Sequence, residues 1–225
     1  MNESIFVLQI FVLVGALFWA AKIGKEALIA LCALLAVFAN FFVLKQMYLF
    51  GWNVTCSDAF AIGNIFGLNM LAQLYGRDAA KKTIWISFFG MVFYAVVSQI
   101  HLLYVPNSHD TSQSHFSYLL NCAPRLLMAS LATFFIVQQF DVRLYGFFQK
   151  KLPHFSWRAR STFCLFLSQA LDTVLFSFLG LYGIIQELTS MMVVSYLVKC
   201  AVIGLISITA SFFNPLKKLT EKEIP

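Results

Sequence analysis

Seven stretches of mostly apolar residues, each close to the length that crosses a bilayer as a helix, dominate this sequence. A membrane-spanning helix needs about 20 residues, with a range of about 17–25. Only 12% of the residues are charged, against about 25% in an average soluble domain. The pattern predicts an all-α, polytopic integral membrane bundle and excludes a soluble domain, a disordered chain and a nucleic-acid-binding module. The predicted spans are 5–21, 27–44, 54–74, 83–105, 116–140, 161–183 and 188–213.

The loop charges indicate how these spans are oriented. In the loops and the C-terminal tail, alternate compartments hold 13 and 1 Lys or Arg residues. Because positive residues collect in cytoplasmic loops, we predict an outside N-terminus and a cytoplasmic C-terminus. The second stretch is short and the third is polar, so six spans are an alternative, although losing one would scramble the alternation. The loops are short, which favours a single transmembrane domain over 1–225.

Four ionisable residues fall inside predicted spans: Asp58, Arg125, Asp172 and Lys199. An ionised side chain at mid-bilayer costs about 2.5–3.5 kcal/mol on insertion scales, but two acids and two bases can neutralise one another. From the helical rise, all but Asp58 lie roughly 14–18 Å into their spans, near the midplane. We interpret the four residues as lining a cavity, with a purely structural ion-pair network as the alternative.

The third predicted span has two distinct faces. Asp58 and Asn69 project within about 20° of each other, and Thr55 and Gln73 lie on the same side. Gly63 and Gly67, a G-x-x-x-G pair, occupy the opposite side, where another helix can approach closely. We therefore expect a polar face and a packing face.

The fifth and sixth predicted spans also carry polar stripes. Arg125 shares a helical face with Gln139, and Ser168 lies in line with Asp172, with Gln169 beside that stripe. Three polar-faced helices can enclose a water-filled cavity, where intramembrane polar residues are tolerated. Three further polar residues are interpreted only as hydrogen-bonding between helices: Asn40, Asn64 and Ser130.

Several motifs resemble those of one transporter family. Ser57-Asp58 is followed by Leu74-Tyr75-Gly76-Arg77, and Gln139-Phe140-Asp141 is followed by Trp157-Arg158-Ala159-Arg160 and Ser168-Gln169-Ala170-Leu171-Asp172-Thr173. In this order, within 57–176, they resemble motifs of the vitamin uptake transporter family, also called the queuosine precursor transporters. At four positions the chain differs from the family pattern, in which members carry acidic residues, Thr or Gly. The residues of this chain at those positions are Asn69, Ala72, Gln73 and Arg160.

The resemblance implies import of a 7-deazaguanine base, such as queuine or an earlier queuosine precursor, across the cell inner membrane for tRNA modification, and no enzymatic activity. Guanine-like bases present adjacent N–H donors and a carbonyl acceptor, which suit carboxylate and amide side chains. Asp58 or Asp172 would take the donor edge, and Arg125 or Lys199 would hold a carboxylate in place or contribute to coupling. The expected substrate-binding residues are Asp58, Asn69, Gln73, Arg125, Gln139, Gln169, Asp172 and Lys199.

Other functions are weighed against import. A lipid-modifying enzyme would need a nucleophile with a base or a metal cluster, and neither His-Glu-x-x-His nor Gly-x-Ser-x-Gly occurs. The chain lacks a Walker A motif, so it is either a self-sufficient carrier or a binding subunit for a separate energising ATPase. A carrier of another small planar solute is a further alternative. We expect no cofactor, no metal and no nucleic-acid partner, and the lipid bilayer is the expected surrounding.

Overall fold

Helices make up most of the computed structural model, which describes residues 1–151 and 157–209. Five described helical segments are long and apolar enough to cross a membrane: Asn2–Ile23, Lys25–Phe42, Asp78–Leu102, Gln113–Val137 and Phe163–Leu181. The elements are α1 (Asn2–Ile23), α2 (Lys25–Phe42), β1 (Gln46–Leu49), β2 (Trp52–Thr55), α3 (Asp58–Tyr75), α4 (Arg77–Leu102), α5 (Gln113–Leu120), α6 (Ala123–Lys151), α7 (Trp157–Phe176), a π-helix (Ser177–Leu181) and α8 (Leu188–Thr209). These helices are consistent with the predicted all-α membrane bundle, and the third and seventh predicted spans are not among the five.

The ends of successive long helices meet alternately on two sides of this bundle. Val43 and Leu44, just after α2, form one buried cluster with Leu126 near the start of α6 and Met191 near the start of α8. Gln99, near the end of α4, donates to the Leu120 carbonyl oxygen at 2.9 Å. These contacts bring the ends of α2 and α4 to the side where α6 and α8 begin. We call this the hairpin side, since β1 and β2 also lie there.

A two-stranded hairpin joins α2 to α3, where the sequence predicted helix from residue 54 onward. β1 and β2 pair antiparallel, with Leu49 opposite Trp52. Phe50 and Gly51, at the turn, both have positive φ, as a two-residue type I′ turn requires. The Phe50 amide donates to Glu3 Oε1 at 3.0 Å, which ties the turn to the start of α1. Thr55 therefore belongs to a strand, and its predicted place on the helical face of Asp58 is wrong.

Two other predicted boundaries are corrected near α6. The fifth predicted span is broken at residues 121–122, so Arg125 lies in the first turn of α6 and not deep within one continuous helix. Pro124 fits there because proline is tolerated in the first helical turn. The basic segment predicted as a loop over 142–160 is helical up to Lys151 and again from Trp157. The predicted end of the last span, 210–213, lies outside the described residues.

The glycine pair of α3 packs against α1 and α2, as predicted. A Cβ on Gly67 would lie 2.5 Å from Cys32 Sγ and 2.9 Å from Leu17 Cδ2, and both neighbours are fully buried. A Cβ on Gly63 would lie 3.3 Å from Leu35 Cδ1. Small residues let helix backbones approach closely in membranes, and here they bring α3 against the α1–α2 core.

Gly67→Ala should therefore destabilise the bundle. Overpacking a well-packed site typically costs about 1–3 kcal/mol of unfolding free energy, and we expect a loss in that range. Gly15→Ala is the matched control, because no heavy atom lies within 4 Å of a Cβ at Gly15 in α1. Thermal unfolding in detergent should show a lower Tm for Gly67→Ala alone. Equal Tm values for the two variants would contradict this packing.

Candidate functional site

A cavity of about 620 Å³ lies at the centre of the bundle, lined by residues from α2, α3, α4, α6, α7, α8 and the hairpin. Small-molecule sites typically occupy about 300–1,000 Å³, so this central cavity has the size of a binding site. Its lining combines three sets of side chains, which are described in turn: a charged polar wall, a cluster of amide and hydroxyl groups, and an aromatic wall.

Asp58 begins the polar wall at the first turn of α3, where the positive end of the helix dipole favours a carboxylate. Its side chain is buried, and its Oδ1 accepts a hydrogen bond from Ser195 Oγ of α8 at 2.7 Å. Within the described part of the chain, Asp58 Oδ2 is buried without a hydrogen-bond partner. Leaving such an acceptor unpaired costs free energy. We therefore expect this oxygen to accept a hydrogen bond from a ligand or water.

Asp172 and Lys199 complete the polar wall from α7 and α8. Lys199 Nζ donates to Asp172 Oδ2 at 2.9 Å and to Thr173 Oγ1 at 3.1 Å. The Lys199 ammonium also attracts the Asp58 carboxylate. The Lys199 side chain is only 12% exposed, while that of Asp172 is 33% exposed, and both residues line the cavity. Among the described residues, the ammonium is thus paired directly with Asp172 and attracts Asp58 only over a longer distance. Gln169 also belongs to the cavity lining.

The amide cluster consists of Asn40 on α2, Asn64 on α3 and Ser130 on α6. Ser130 Oγ donates to Asn40 Oδ1 at 3.3 Å, and Asn40 Nδ2 donates to the Ala36 carbonyl oxygen at 2.9 Å. Asn64 Oδ1 is a second buried acceptor without a partner among the described residues. These residues were predicted to hold helices together; all three also line the cavity.

Three aromatic side chains form the aromatic wall: Trp85 and Phe88 of α4 and Phe134 of α6. Their rings contact one another edge to face, with Phe88 and Phe134 centroids 4.8 Å apart and Trp85 and Phe88 centroids 6.2 Å apart. Such edge-to-face contacts fix the positions of the rings, and all three residues line the cavity. An aromatic ring of this wall is a candidate to stack on a planar ligand.

The two ends of the cavity differ in burial. On the hairpin side, Val43, Leu181 and Met191 line it and are only 2–3% exposed. At the opposite end the lining includes Lys81, which is exposed, and Trp85, which is 58% exposed. The cavity is therefore covered by packed apolar side chains on the hairpin side and bordered by exposed side chains on the other.

The structure brings four of the eight predicted site residues into the cavity lining: Asp58, Gln169, Asp172 and Lys199. The other four, Asn69, Gln73, Arg125 and Gln139, are not part of it. On α3, the cavity-facing stripe runs from Asp58 through Ala61, Ile65 and Leu68 instead of toward Asn69. Asn69 Nδ2 instead donates to the Ile65 carbonyl oxygen of its own helix at 2.8 Å.

Sequence reasoning missed Ser195 and misjudged Asn64. Ser195 lies four residues before Lys199, so one helical face of α8 carries both side chains, and this spacing was an available signal. Asn64 directly follows Gly63 and was assigned to helix packing, although its neighbours on the cavity stripe are Ala61 and Leu68. Thr133 also lines the cavity, and its buried Oγ1 lacks a hydrogen-bond partner among the described residues. No feature of the sequence indicates this position.

Arg125 has a structural role instead of a place in the cavity. Its Nε donates to the Leu179 carbonyl oxygen at 3.1 Å, and its guanidinium donates to the Tyr182 carbonyl oxygen at 2.6 Å. Leu179 lies in the π-helix that ends α7, and such segments leave carbonyl groups without helical partners. The guanidinium therefore satisfies the last carbonyls of this segment.

Arg125→Gln should lower stability without removing ligand binding. Losing these two hydrogen bonds should cost about 1–2 kcal/mol of unfolding free energy, since the side chain is exposed and water replaces part of the loss. Arg143→Gln, which changes another exposed arginine of α6, is the control and should leave Tm unchanged. A Tm drop in Arg143→Gln as large as in Arg125→Gln would contradict the capping role.

Comparison with known proteins gives two matches. The sequence model of the family described as "Putative vitamin uptake transporter" matches residues 59–212. A protein of Bacillus subtilis (strain 168) named "Probable queuosine precursor transporter" is 30% identical over 194 residues, which cover 84% of this chain and 83% of that protein. No solved structure matches.

Proposed function

This chain belongs to the vitamin uptake transporter family, and from that premise we propose that it imports a 7-deazaguanine base, such as queuine or an earlier queuosine precursor. Membership makes the chain a membrane transporter and not an enzyme. Queuosine precursor transport is the activity named for the Bacillus subtilis relative, and its assignment to this chain rests on the chemistry of the cavity.

The observation that carries the proposal is that a free carboxylate oxygen and the aromatic wall line one cavity. Asp58 Oδ2 is buried without a partner among the described residues, and the aromatic wall lines the same space. A guanine-like base needs both features, because its guanidine-like edge donates adjacent N–H groups and its rings stack.

We place the base with its donor edge on Asp58 and its rings on the aromatic wall. The ring carbonyl is an acceptor next to this donor edge, so it pairs with a donor of the same polar wall, either the Lys199 ammonium or the Gln169 amide. Asp172 holds Lys199 in position at 2.9 Å. The proposed binding set is therefore narrower than the set predicted from sequence, because Asn69, Gln73, Arg125 and Gln139 do not line the cavity.

We propose that the chain is one transport domain of seven crossings in the cytoplasmic membrane, with the N-terminus outside. The alternating helix directions and the loop charges support this arrangement. The hairpin side is then the outer side, and the cavity is accessible from the cytoplasm, where Lys81 and Trp85 are exposed. Opening the apolar cover of Val43, Leu181 and Met191 is the step that admits substrate from outside.

The experiment is to measure queuosine in the tRNA of a host that cannot make the precursor and lacks its own importer. Cells expressing this chain are fed queuine or an earlier precursor base at low concentration. We expect queuosine to be restored, and the effective base identifies the substrate. No restoration, with the protein detected in the membrane and the host able to use each base, would overturn the proposal. Uptake into liposomes containing this chain alone separates a self-sufficient carrier, which we propose, from a subunit that needs an energising ATPase.

A further inference from the structure

Three buried side-chain atoms in the described part of the chain lack a hydrogen-bond partner: Asp58 Oδ2, Asn64 Oδ1 and Thr133 Oγ1. All three belong to residues that line the central cavity. Buried polar groups are normally paired, and an unpaired one costs about 1–3 kcal/mol. Their concentration in one cavity indicates groups that pair when the cavity is occupied.

Asp58 and Asn64 lie six residues apart on α3, which places them about 9 Å apart along the helix axis. A hydrogen bond joins heavy atoms at about 2.9 Å, so one donor cannot serve both oxygens. A ligand that satisfies both must carry N–H groups at two separated edges.

The two acceptors differ in the number of oxygens they present, and this difference determines which edge of the ligand each one binds. A carboxylate matches two adjacent N–H groups: at Asp58, the free Oδ2 can receive one, and Oδ1, which accepts from Ser195, has a second lone pair for the other. An amide oxygen matches a single N–H. In a 7-deazaguanine, the six-membered ring carries the adjacent pair, and the five-membered ring carries a lone pyrrole-type N–H.

Resting on the proposed function, we propose that Asn64 is a specificity residue that accepts a hydrogen bond from the N–H of the five-membered ring while Asp58 takes the guanidine-like edge. In a nucleoside this ring nitrogen carries the sugar and has no hydrogen to donate. The cavity therefore selects the free base over its N-glycosides, and it does so through Asn64.

The test is direct binding of two ligands to the purified full-length protein: the free 7-deazaguanine base and the same base methylated on the five-membered-ring nitrogen. For the unaltered protein we expect the free base to bind at least about tenfold more tightly, which corresponds to one hydrogen bond and the clash of the methyl group. For Asn64→Ala we expect the free base to bind about five- to tenfold more weakly and the ratio of the two affinities to fall below about threefold.

Asn69→Ala is the matched control, since Asn69 is an amide of the same helix that bonds within α3 and does not line the cavity. Its affinity ratio should equal that of the unaltered protein. Equal binding of both ligands by the unaltered protein would overturn the role of Asn64 without needing any variant, and so would a preserved ratio in Asn64→Ala or in Asn64→Ser. Binding of neither ligand would overturn the proposed function itself, and this assignment with it.

Discussion

Lys199→Met should both destabilise the protein and abolish uptake. The substitution keeps the length and apolar stem of the side chain but removes the ammonium that lies 2.9 Å from Asp172 Oδ2. Breaking a buried ion pair from one side costs about 3–5 kcal/mol. Because the Asp172 side chain is 33% exposed, we expect about 2–4 kcal/mol here. Thermal unfolding and uptake in cells measure the two effects.

The double variant Asp172→Asn/Lys199→Met separates the structural part of this loss from the functional part. Removing both charges leaves no unpaired ion at Asp172, so part of the lost stability should return, while the Asp58 carboxylate still lacks the attraction of the ammonium. Uptake should stay absent, because the polar wall has lost the Lys199 ammonium as a hydrogen-bond donor. Lys82→Gln, an exposed lysine of α4, is the control and should change neither property. Full uptake by the double variant would show that the pair is only a structural ion-pair network.

Asp58→Asn should reduce uptake strongly while leaving the fold intact. The amide is nearly the same size as the carboxylate and keeps one oxygen for Ser195, so stability should change little. The substitution replaces one acceptor oxygen with an amide NH2 donor, which then faces the N–H groups of the base. Charge-assisted hydrogen bonds contribute about 1.5–3 kcal/mol, and we therefore expect about 10- to 100-fold weaker uptake at low substrate concentration.

The matched control for Asp58→Asn is Asp78→Asn. Asp78 is also an acidic residue in the first turn of a helix, but it is exposed and does not line the cavity. Its uptake should match that of the unaltered protein. Uptake by Asp58→Asn within about twofold of the unaltered value would remove Asp58 from the binding site, since even a weak neutral hydrogen bond changes affinity by more than that.

The membrane bundle could be predicted from sequence because hydrophobic length and loop charge depend on local composition alone. The same holds for the packing of Gly63 and Gly67, which follows from their spacing. The hairpin was missed because Val54 and Thr55 are apolar or small enough to extend a predicted helix. Only the pairing of β2 with β1 and its contacts with α8 show that these residues form a strand.

The site could be predicted only in part, for a geometric reason. Charge inside a span identified Asp58, Asp172 and Lys199, because burying an ion requires a partner. A helical projection gives the angle between two residues but not which direction faces the cavity. On α3 that direction lies on the Asn64 side of Asp58 instead of the Asn69 side, and it is set by how α3 packs against α1 and α2 through Gly67.

The most direct measurement is equilibrium binding of a labelled 7-deazaguanine to the purified protein, with unlabelled guanine-like and adenine-like bases as competitors. It tests the cavity without requiring an energy source or a partner. We predict saturable binding with one site per chain, displacement by guanine-like bases only, and at least tenfold weaker binding to Asp58→Asn. Absence of saturable binding, displacement by adenine-like bases as well, or unchanged affinity in Asp58→Asn would contradict the central claim that this cavity recognises a deazaguanine base.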